Sequence, residues 1–169
     1  DYGFDSVYLQ PVMVPHWERD KTRQEAYLLN SNGEKISLSI LAAGGSVSTP
    51  KTGMFANVVE VKSLEEVDQL GEEGVKGKVV FYNKAFNPRF INQGNSYGST
   101  GFQRRSGAIK AAEYGAVASV FRSLSSSDDD VPHTGSMSYK DAVDMRSGFL
   151  TSDDEDFNRR NPGITIIWL

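Results

Sequence analysis

The stretch from residue 77 to residue 124 most constrains the fold, because it holds two compact apolar segments on either side of a helical one. "GKVVFYN" (77–83) and "VASVFRSL" (117–124) are short apolar runs that favour buried strands. Between them, "FQRRSGAIKAAEYGA" (102–116) predicts a helix that Gly115 closes in a left-handed cap. This alternation predicts a mixed α/β domain.

A hairpin is the clearest local prediction in the first half. "EAYLLNSNGEKISLSIL" (25–41) has apolar arms on either side of Asn32-Gly33, a pair that suits a turn with positive φ. Apolar and polar residues alternate along the second arm, so one face of that arm is expected to be buried. The further predicted strands are 6–14 (a strand or an extended arm), 55–62, 147–152 and 163–169, and the further predicted helices are 63–71 and 152–161.

The composition limits the kinds of partner and site. The 169 residues carry a net charge of −4 without a basic field, so nucleic acid is not an expected partner. No apolar run approaches the ~20 residues of a membrane span. The chain has no cysteine, which excludes disulfides and thiolate zinc sites. Because it opens on Asp1 without a signal peptide, we expect a mature form or an excised domain.

The familiar catalytic motifs are missing or incomplete. A hydrolytic zinc site needs about three protein ligands, and His16 and His133 stand in no short metal-binding motif. Glu65 and Glu66 are better explained by a helix N-terminus, since Ser63 and Glu66 have the capping-box spacing. The loop "SSSDDDVPHTG" could supply a Ser-His-Asp triad, but neighbours in one loop rarely hold that geometry. We therefore assign no catalytic residue and no metal ligand, and expect the acidic run at 128–130 to be a solvated spacer.

Five residues are candidate substrate-cleft or interface positions, namely His133, Thr134, Tyr97, Arg104 and Arg105. His133 follows a proline, either as a loop histidine bonded to nearby backbone or at the rim of a cleft. Arg104 and Arg105 are expected to begin a helix, where the helix dipole disfavours positive charge. They would therefore pair with an acidic partner or with an acidic residue of the same domain. Tyr97 belongs to the Gly/Asn/Ser-rich segment 84–101, which is predicted to be unstructured and suits a binding or interface role.

Five stretches together carry a family resemblance. They are "VYLQPVMVPHWERD", "LAAGGSVSTP", "VKGKVVFYNKAF", "QRRSGAIKAAEYGAVASVFRSL" and "PHTGSMSY", in this order. The chain resembles the protease-associated (PA) domain, with its leading arm, of secreted zinc exopeptidases of the plasma glutamate carboxypeptidase type, also called carboxypeptidase Q, and bacterial members in particular. The resemblance runs over about residues 5–139 and continues more weakly to the end.

The resemblance implies a PA-like mixed sheet or open β-barrel flanked by short helices. Residues 1–17 would be an arm from a preceding catalytic portion, and residues 18–169 the PA domain. Such a domain breaks no bonds: it shapes or covers the substrate cleft of a peptidase and contacts peptides or a second subunit. This chain would hold no cofactor, and two zinc ions would lie in a missing catalytic domain of the same polypeptide, its first expected partner. The implied location is secreted or periplasmic.

Two other hypotheses stay open. One is a free-standing peptide- or carbohydrate-binding module that uses segment 84–101. The other is a small hydrolase with an unrecognised site, which substitutions of His133 and Asp128 would test. Independently of these hypotheses, Trp17 is expected to be a packing anchor where the arm joins the domain.

Overall fold

The computed structural model of the protein describes residues 3–14, 16–19, 24–125, 132, 135–138, 145–150 and 165–168. Within these residues the chain forms eight strands and four helices. Strands β1 to β8 are Ala26–Leu29, Lys35–Leu38, Ile40–Ala42, Met54–Val61, Val79–Tyr82, Ala118–Arg122, Arg146–Leu150 and Thr165–Trp168. Helices α1 to α4 are Leu64–Val75, Gln93–Thr100, Phe102–Arg105 and Gly107–Glu113.

The strands form one mixed sheet in the order β2-β1-β8-β4-β5-β6-β7-β3. Strands β4 to β7 run parallel, and the remaining pairs are antiparallel. The two edge strands, β2 and β3, are separated in the chain by Ser39 alone. The sheet must therefore curl until its two edges meet at this residue, which makes an open barrel. The predicted fold class, a mixed sheet or open barrel with short helices, is confirmed.

Strand β5 shows how the core divides, because all four of its residues are buried. Val79 and Phe81 pack in a cluster with residues of β1, β2, β3 and β6, on the inner face of the sheet. Val80 and Tyr82 point to the opposite face and pack against buried residues of α1 and α4. Successive side chains of a strand alternate between faces, so a continuous apolar run is what a strand covered on both sides requires.

The predicted hairpin is confirmed, with one difference in its second arm. Asn30 accepts hydrogen bonds through Oδ1 from the amides of Asn32 and Glu34, and Gly33 has φ 77°. The alternating arm, however, is not one strand. It splits at Ser39 into β2, which pairs with β1, and β3, which pairs with β7 on the other side of the barrel.

The N-terminal cap of α1 is also confirmed. Ser63 Oγ accepts from the Glu66 amide at 3.2 Å, and Glu66 Oε2 accepts from the Lys62 amide at 2.7 Å. Both carboxylates of the Glu65-Glu66 pair thus lie in the first turn of the helix. Gly71, predicted to end the helix, takes φ 59° and kinks it, and helical residues resume as far as Val75.

Three predictions between residues 84 and 116 are corrected. Residues 93–100 of the segment predicted to be unstructured form α2, which Asn92 caps by accepting from the Gly94 amide. The predicted helix 102–116 is two short helices, α3 and α4, separated by Ser106. Arg104 and Arg105 consequently lie in the last turn of α3, where the helix dipole favours positive charge, and not at a helix start. Gly115 does take the expected left-handed conformation, with φ 75°.

The remaining predictions fall at the ends of the chain. Residues 6–14 form no strand and are exposed, so of the two alternatives the arm is correct. The strands predicted at 147–152 and 163–169 correspond to β7 and β8. The predicted helix 152–161 and most of the acidic loop, including Asp128, lie outside the described residues.

Candidate functional site

The structure joins Arg104 and Arg105 to the turn that follows His133 and Thr134. Arg104 Nη1 donates to the Ser136 carbonyl at 2.9 Å, and the Ser138 amide donates to the Arg105 carbonyl at 3.1 Å. His133 and Thr134 themselves lie outside the described residues. The arginine pair and the candidate turn, about 30 positions apart in the sequence, therefore belong to one surface.

Gly135 makes this contact possible. A Cβ placed on Gly135 would lie 2.9 Å from Arg104 Cδ, so a side chain here would displace the arginine. Arg104 Nε is buried and has no hydrogen-bond partner among the described residues. Arg105, in contrast, is exposed. Arg104 is thus the residue that positions the turn, whereas Arg105 has its side chain on the surface.

A buried glutamine that the sequence did not single out holds segment 84–92 against α3. Gln103 Oε1 accepts from the Lys84 amide at 2.9 Å, and Gln103 Nε2 donates to the Lys84 carbonyl at 3.0 Å. The side chain thereby pairs with backbone as a neighbouring strand would. Its only sequence signal was a polar residue inside an otherwise amphipathic pattern.

Segment 84–92, which Gln103 holds at Lys84, carries two exposed apolar side chains further along. Ser96 Oγ accepts from the Asn87 amide at 2.7 Å, which holds the segment to α2. Phe90 and Ile91 are 39% and 105% exposed. Tyr97 is half-buried on α2. The predicted interface segment is therefore an ordered loop that carries exposed apolar groups.

A second feature is a cleft of about 520 Å³ where the barrel is open, which we call the seam cleft. Its lining includes Trp17, Arg19, Val47, Pro50, Lys51 and Arg146. Ala42, on β3, has its backbone amide and carbonyl turned toward this opening. The amide donates to Gln24 Oε1 at 2.8 Å, and the carbonyl accepts from Arg19 Nε and Nη2, each at 3.0 Å. Side chains thus take the place of a closing strand.

The arm is fastened at the same place. Trp17 Nε1 donates to the Ser46 carbonyl at 2.9 Å, and the Arg19 guanidinium lies over the Trp17 ring at 5.1 Å from its centre. The prediction that Trp17 anchors the arm to the domain is confirmed.

The charges around the seam cleft have both signs. Arg19, Lys51 and Arg146 are the cations, and Glu18 and Glu25 are the carboxylates. Glu18 pairs with His16 at 2.8 Å on the surface, and Glu25 accepts from the Tyr27 hydroxyl at 3.1 Å. The cleft therefore offers separate contacts for an anionic and a cationic group.

No set of three or more His, Asp or Glu side chains is placed to hold a metal ion among the residues that the structure describes. Those residues do not fit a catalytic zinc centre, which needs about three protein ligands. We therefore derive no chemical step through zinc in this chain.

A cluster of charged and polar side chains joins α1 to α4. Lys110 Nζ donates to Asp68 at 3.0 Å and to Glu113 at 2.8 Å, and the Tyr114 hydroxyl donates to Asp68 at 2.6 Å. The bonds from Tyr114 and Lys110 lower the pKa of Asp68, and those from Lys110 to Glu113 and Asp68 raise the pKa of Lys110. The cluster lies on the helical surface and serves to hold the two helices together.

In the described part of the chain, no helix has the length and apolar character needed to cross a membrane.

The curated proteins that this chain resembles in sequence are all carboxypeptidases Q. The chain is 36% identical to human carboxypeptidase Q over 168 residues, which is 98% of the chain and 33% of that protein. It is 45% identical to the carboxypeptidase Q of Xenopus laevis over 139 residues, which is 82% of the chain and 27% of that protein. The chain thus spans about a third or less of these relatives. No model of a known protein family matches it.

Two solved peptidase structures have a similar fold over most of this chain. A peptidase M28 precursor from Shewanella amazonensis SB2B superposes with a TM-score of 0.81 and 30% identity, over 98% of this chain and 37% of that one. A zinc aminopeptidase from Bacillus subtilis superposes with a TM-score of 0.54 and 17% identity, over 89% of this chain and 31% of that one, which supports the fold alone. By sequence and fold, the chain corresponds to a piece of a peptidase.

Proposed function

We propose that the chain is a non-catalytic PA domain of a zinc-dependent exopeptidase, and that it shapes or covers the substrate cleft and contacts peptide or a second subunit. The bond-breaking groups and two zinc ions would belong to a catalytic domain of the same polypeptide. The carboxypeptidase Q relatives, of which the chain spans about a third, support this assignment. A secreted or periplasmic location and a bacterial origin are part of the same proposal.

The observation that carries the proposal is the exposure of apolar side chains along the N-terminal arm. Seven large apolar side chains between residues 4 and 14 are exposed, namely Phe4, Val7, Tyr8, Leu9, Val12, Met13 and Val14. Leu9 and Met13 are 98% and 100% exposed. A stretch in which so many of the side chains are large, apolar and exposed marks an interaction surface. The proposal assigns that interaction to the catalytic domain, in line with the division into an arm at 1–17 and a domain at 18–169.

The surface formed by α2, α3 and the turn 135–138 is the part we assign to the substrate cleft. Its exposed groups are Arg105 and the apolar side chains of Phe90 and Ile91. Arg104 holds the turn in place through its bond to the Ser136 carbonyl. In the sequence, His133 and Thr134 immediately precede the turn that Arg104 positions. In this proposal these residues bind and orient the peptide, while the hydrolysis takes place on the catalytic domain.

The first experiment tests whether the chain has catalytic activity of its own. The 169-residue chain is incubated with zinc chloride and a dipeptide, and release of free amino acids is followed. We expect no turnover above the zinc blank. Turnover that depends on the chain would overturn the non-catalytic assignment, and loss of that turnover on replacing His133 or Asp128 would favour the small hydrolase.

A second experiment tests the role in the peptidase. This chain replaces the aligned third of human carboxypeptidase Q, and dipeptide hydrolysis by the chimera is measured. We expect hydrolysis, with Arg105→Gln raising KM and leaving kcat nearly unchanged, because the arginine would contribute uniform binding. Lys62→Gln, at an exposed position just before α1, serves as the matched control. Full activity without any effect of Arg105→Gln would remove this surface from the substrate cleft.

The exposed tip of Phe90 and Ile91 favours one alternative, a free-standing peptide- or carbohydrate-binding module. That module would bind its ligand through the tip without a catalytic domain. Glycan and peptide arrays probed with the chain and with Ile91→Ser would detect it, and binding that the substitution abolishes would support this alternative.

A further inference from the structure

We propose that the seam cleft binds a short peptide with free termini, at a site of its own on this domain. The cleft volume of about 520 Å³ lies within the range of about 300–1,000 Å³ that is usual for small-ligand sites. The choice of a peptide among zwitterionic ligands rests on the proposed function, and the site deepens that function by adding a second place where peptide binds.

Arg146 is the group that would receive the peptide carboxylate. It is half-buried on β7, and its Nη1 donates to the Val117 carbonyl over a long 3.4 Å. Its Nε is buried without a partner among the described residues, and none of their ion pairs includes it. A partly desolvated guanidinium is costly when it lacks a counter-charge, and none of the described residues forms an ion pair with Arg146. An arriving carboxylate would offset that cost with charge-assisted hydrogen bonds.

The rest of the cleft complements the remainder of such a ligand. Lys51 adds a second cation from the exposed loop, and it takes part in no ion pair of the described chain. Glu18 and Glu25 supply carboxylates for the peptide ammonium group. Among the described residues, Glu18 contacts His16 and Glu25 accepts from the Tyr27 hydroxyl. Val47 and Pro50 offer apolar contact for a side chain.

The walls of the cleft are held in place before any ligand arrives. Trp17 is bonded to Ser46, and Arg19 and Gln24 are bonded to Ala42. Because these bonds already satisfy the open edge of β3, the ligand does not need to add a strand there. Recognition therefore depends on the two charged ends of the peptide and not on its backbone.

The test is calorimetric titration of the 169-residue chain with the dipeptide Ala-Leu and with its N-acetylated, C-amidated form. We expect the free dipeptide to bind at least about tenfold more tightly, since capping removes both charges. Arg146→Gln should weaken binding of the free dipeptide by about tenfold or more. Arg122→Gln, a half-buried arginine on the neighbouring strand outside the cleft, should leave binding within about twofold.

Lys51→Gln keeps the test decisive if Arg146→Gln does not fold, because Lys51 is exposed on a loop. This variant should weaken the free dipeptide by a few fold and leave the capped form unchanged. Absence of binding, or equal binding of the free and capped dipeptides, overturns the proposal. The titration uses the chain alone, whereas the proposed function is tested by hydrolysis in the chimera, so either can fail while the other holds.

Discussion

Tyr82 lies directly on Gly107, and its hydroxyl donates to the Gly107 carbonyl at 2.8 Å. A Cβ on Gly107 would approach Tyr82 Cε2 to 2.8 Å, in a region where the tyrosine ring is fully buried. The contact joins the central strand β5 to the first residue of α4. Burial raises the pKa of Tyr82, so its hydroxyl stays a hydrogen-bond donor throughout the physiological range.

Gly107→Ala should destabilise the protein by about 1–3 kcal/mol, because the added methyl group has to displace a buried aromatic ring. Tyr82→Phe should cost about 1 kcal/mol through the lost hydrogen bond alone. Urea denaturation followed by circular dichroism measures both. Equal stability of Gly107→Ala and the parent chain would show that the ring moves aside freely.

Two other glycines form a matched pair with opposite expectations. Gly33→Ala should destabilise by about 1 kcal/mol, because the hairpin turn requires φ 77° at that position. Gly98→Ala should stabilise by up to about 1 kcal/mol, because Gly98 is helical and has nothing within 4 Å of an added Cβ. Thermal melts of the two variants should shift in opposite directions. A loss of stability in Gly98→Ala would contradict the assignment of α2.

The cluster of Asp68, Lys110 and Tyr114 predicts a pH dependence. The Asp68 pKa is lowered in the folded protein, first by the Tyr114 hydroxyl and then by Lys110. Its stabilisation is therefore present above the ordinary aspartate pKa of about 3.9 and is lost as pH falls through the lowered value. Asp68→Asn should melt at a lower temperature than the parent chain at pH 7, and the difference should shrink below about pH 4.

Lys110, the cation of this cluster, stays charged over the acid range because its pKa is raised. Lys110 faces both Asp68 and Glu113, and its raised pKa keeps its own contribution constant until strongly alkaline pH. Glu73→Gln, on the exposed surface of α1, is the control and should show no comparable pH-dependent difference. A gap between Asp68→Asn and the parent chain that stays constant down to pH 2 would contradict the assigned bonds.

The anchor at Trp17 gives the fourth prediction. Trp17→Phe keeps an aromatic ring and loses the bond to Ser46, so it should cost about 1 kcal/mol. Trp17→Ala should cost more, since it also uncovers the Arg19 side chain. Phe4→Ala, at an arm position that is 71% exposed, should change stability by less than about 0.5 kcal/mol. Denaturant melts of the three variants check this order.

Local sequence patterns predicted most of the elements but not their boundaries or partners. The capping box at Ser63 and the turn at Gly33 were readable because each depends on residues only a few positions apart. Helix α2 was not, because its residues are polar and lack an apolar period. Its stability comes from the Asn92 cap and from the bond between Ser96 and Asn87, and the second of these depends on how a loop folds back.

The candidate site, too, could be predicted only in part from the sequence. The sequence singled out Arg104 and Arg105 as a pair whose charge needed an explanation, but placed them at the wrong end of a helix. Only the break at Ser106, made where α4 packs beneath Tyr82, puts them in the last turn of α3. No sequence pattern gave Arg146 a binding role, because its buried Nε, which has no hydrogen-bond partner among the described residues, results from the packing of β7 beside β6.

The amino-acid sequence by itself determined the strands, the principal turn and cap, and the resemblance to a peptidase domain, because apolar periodicity and short-range hydrogen bonds are encoded within a few residues. The tertiary structure decided that Ser39 turns one alternating segment into both edges of a barrel, and that side chains of Arg19 and Gln24 fill the opening. Closing a sheet depends on contacts between residues far apart in the chain. No local pattern records which of those contacts form.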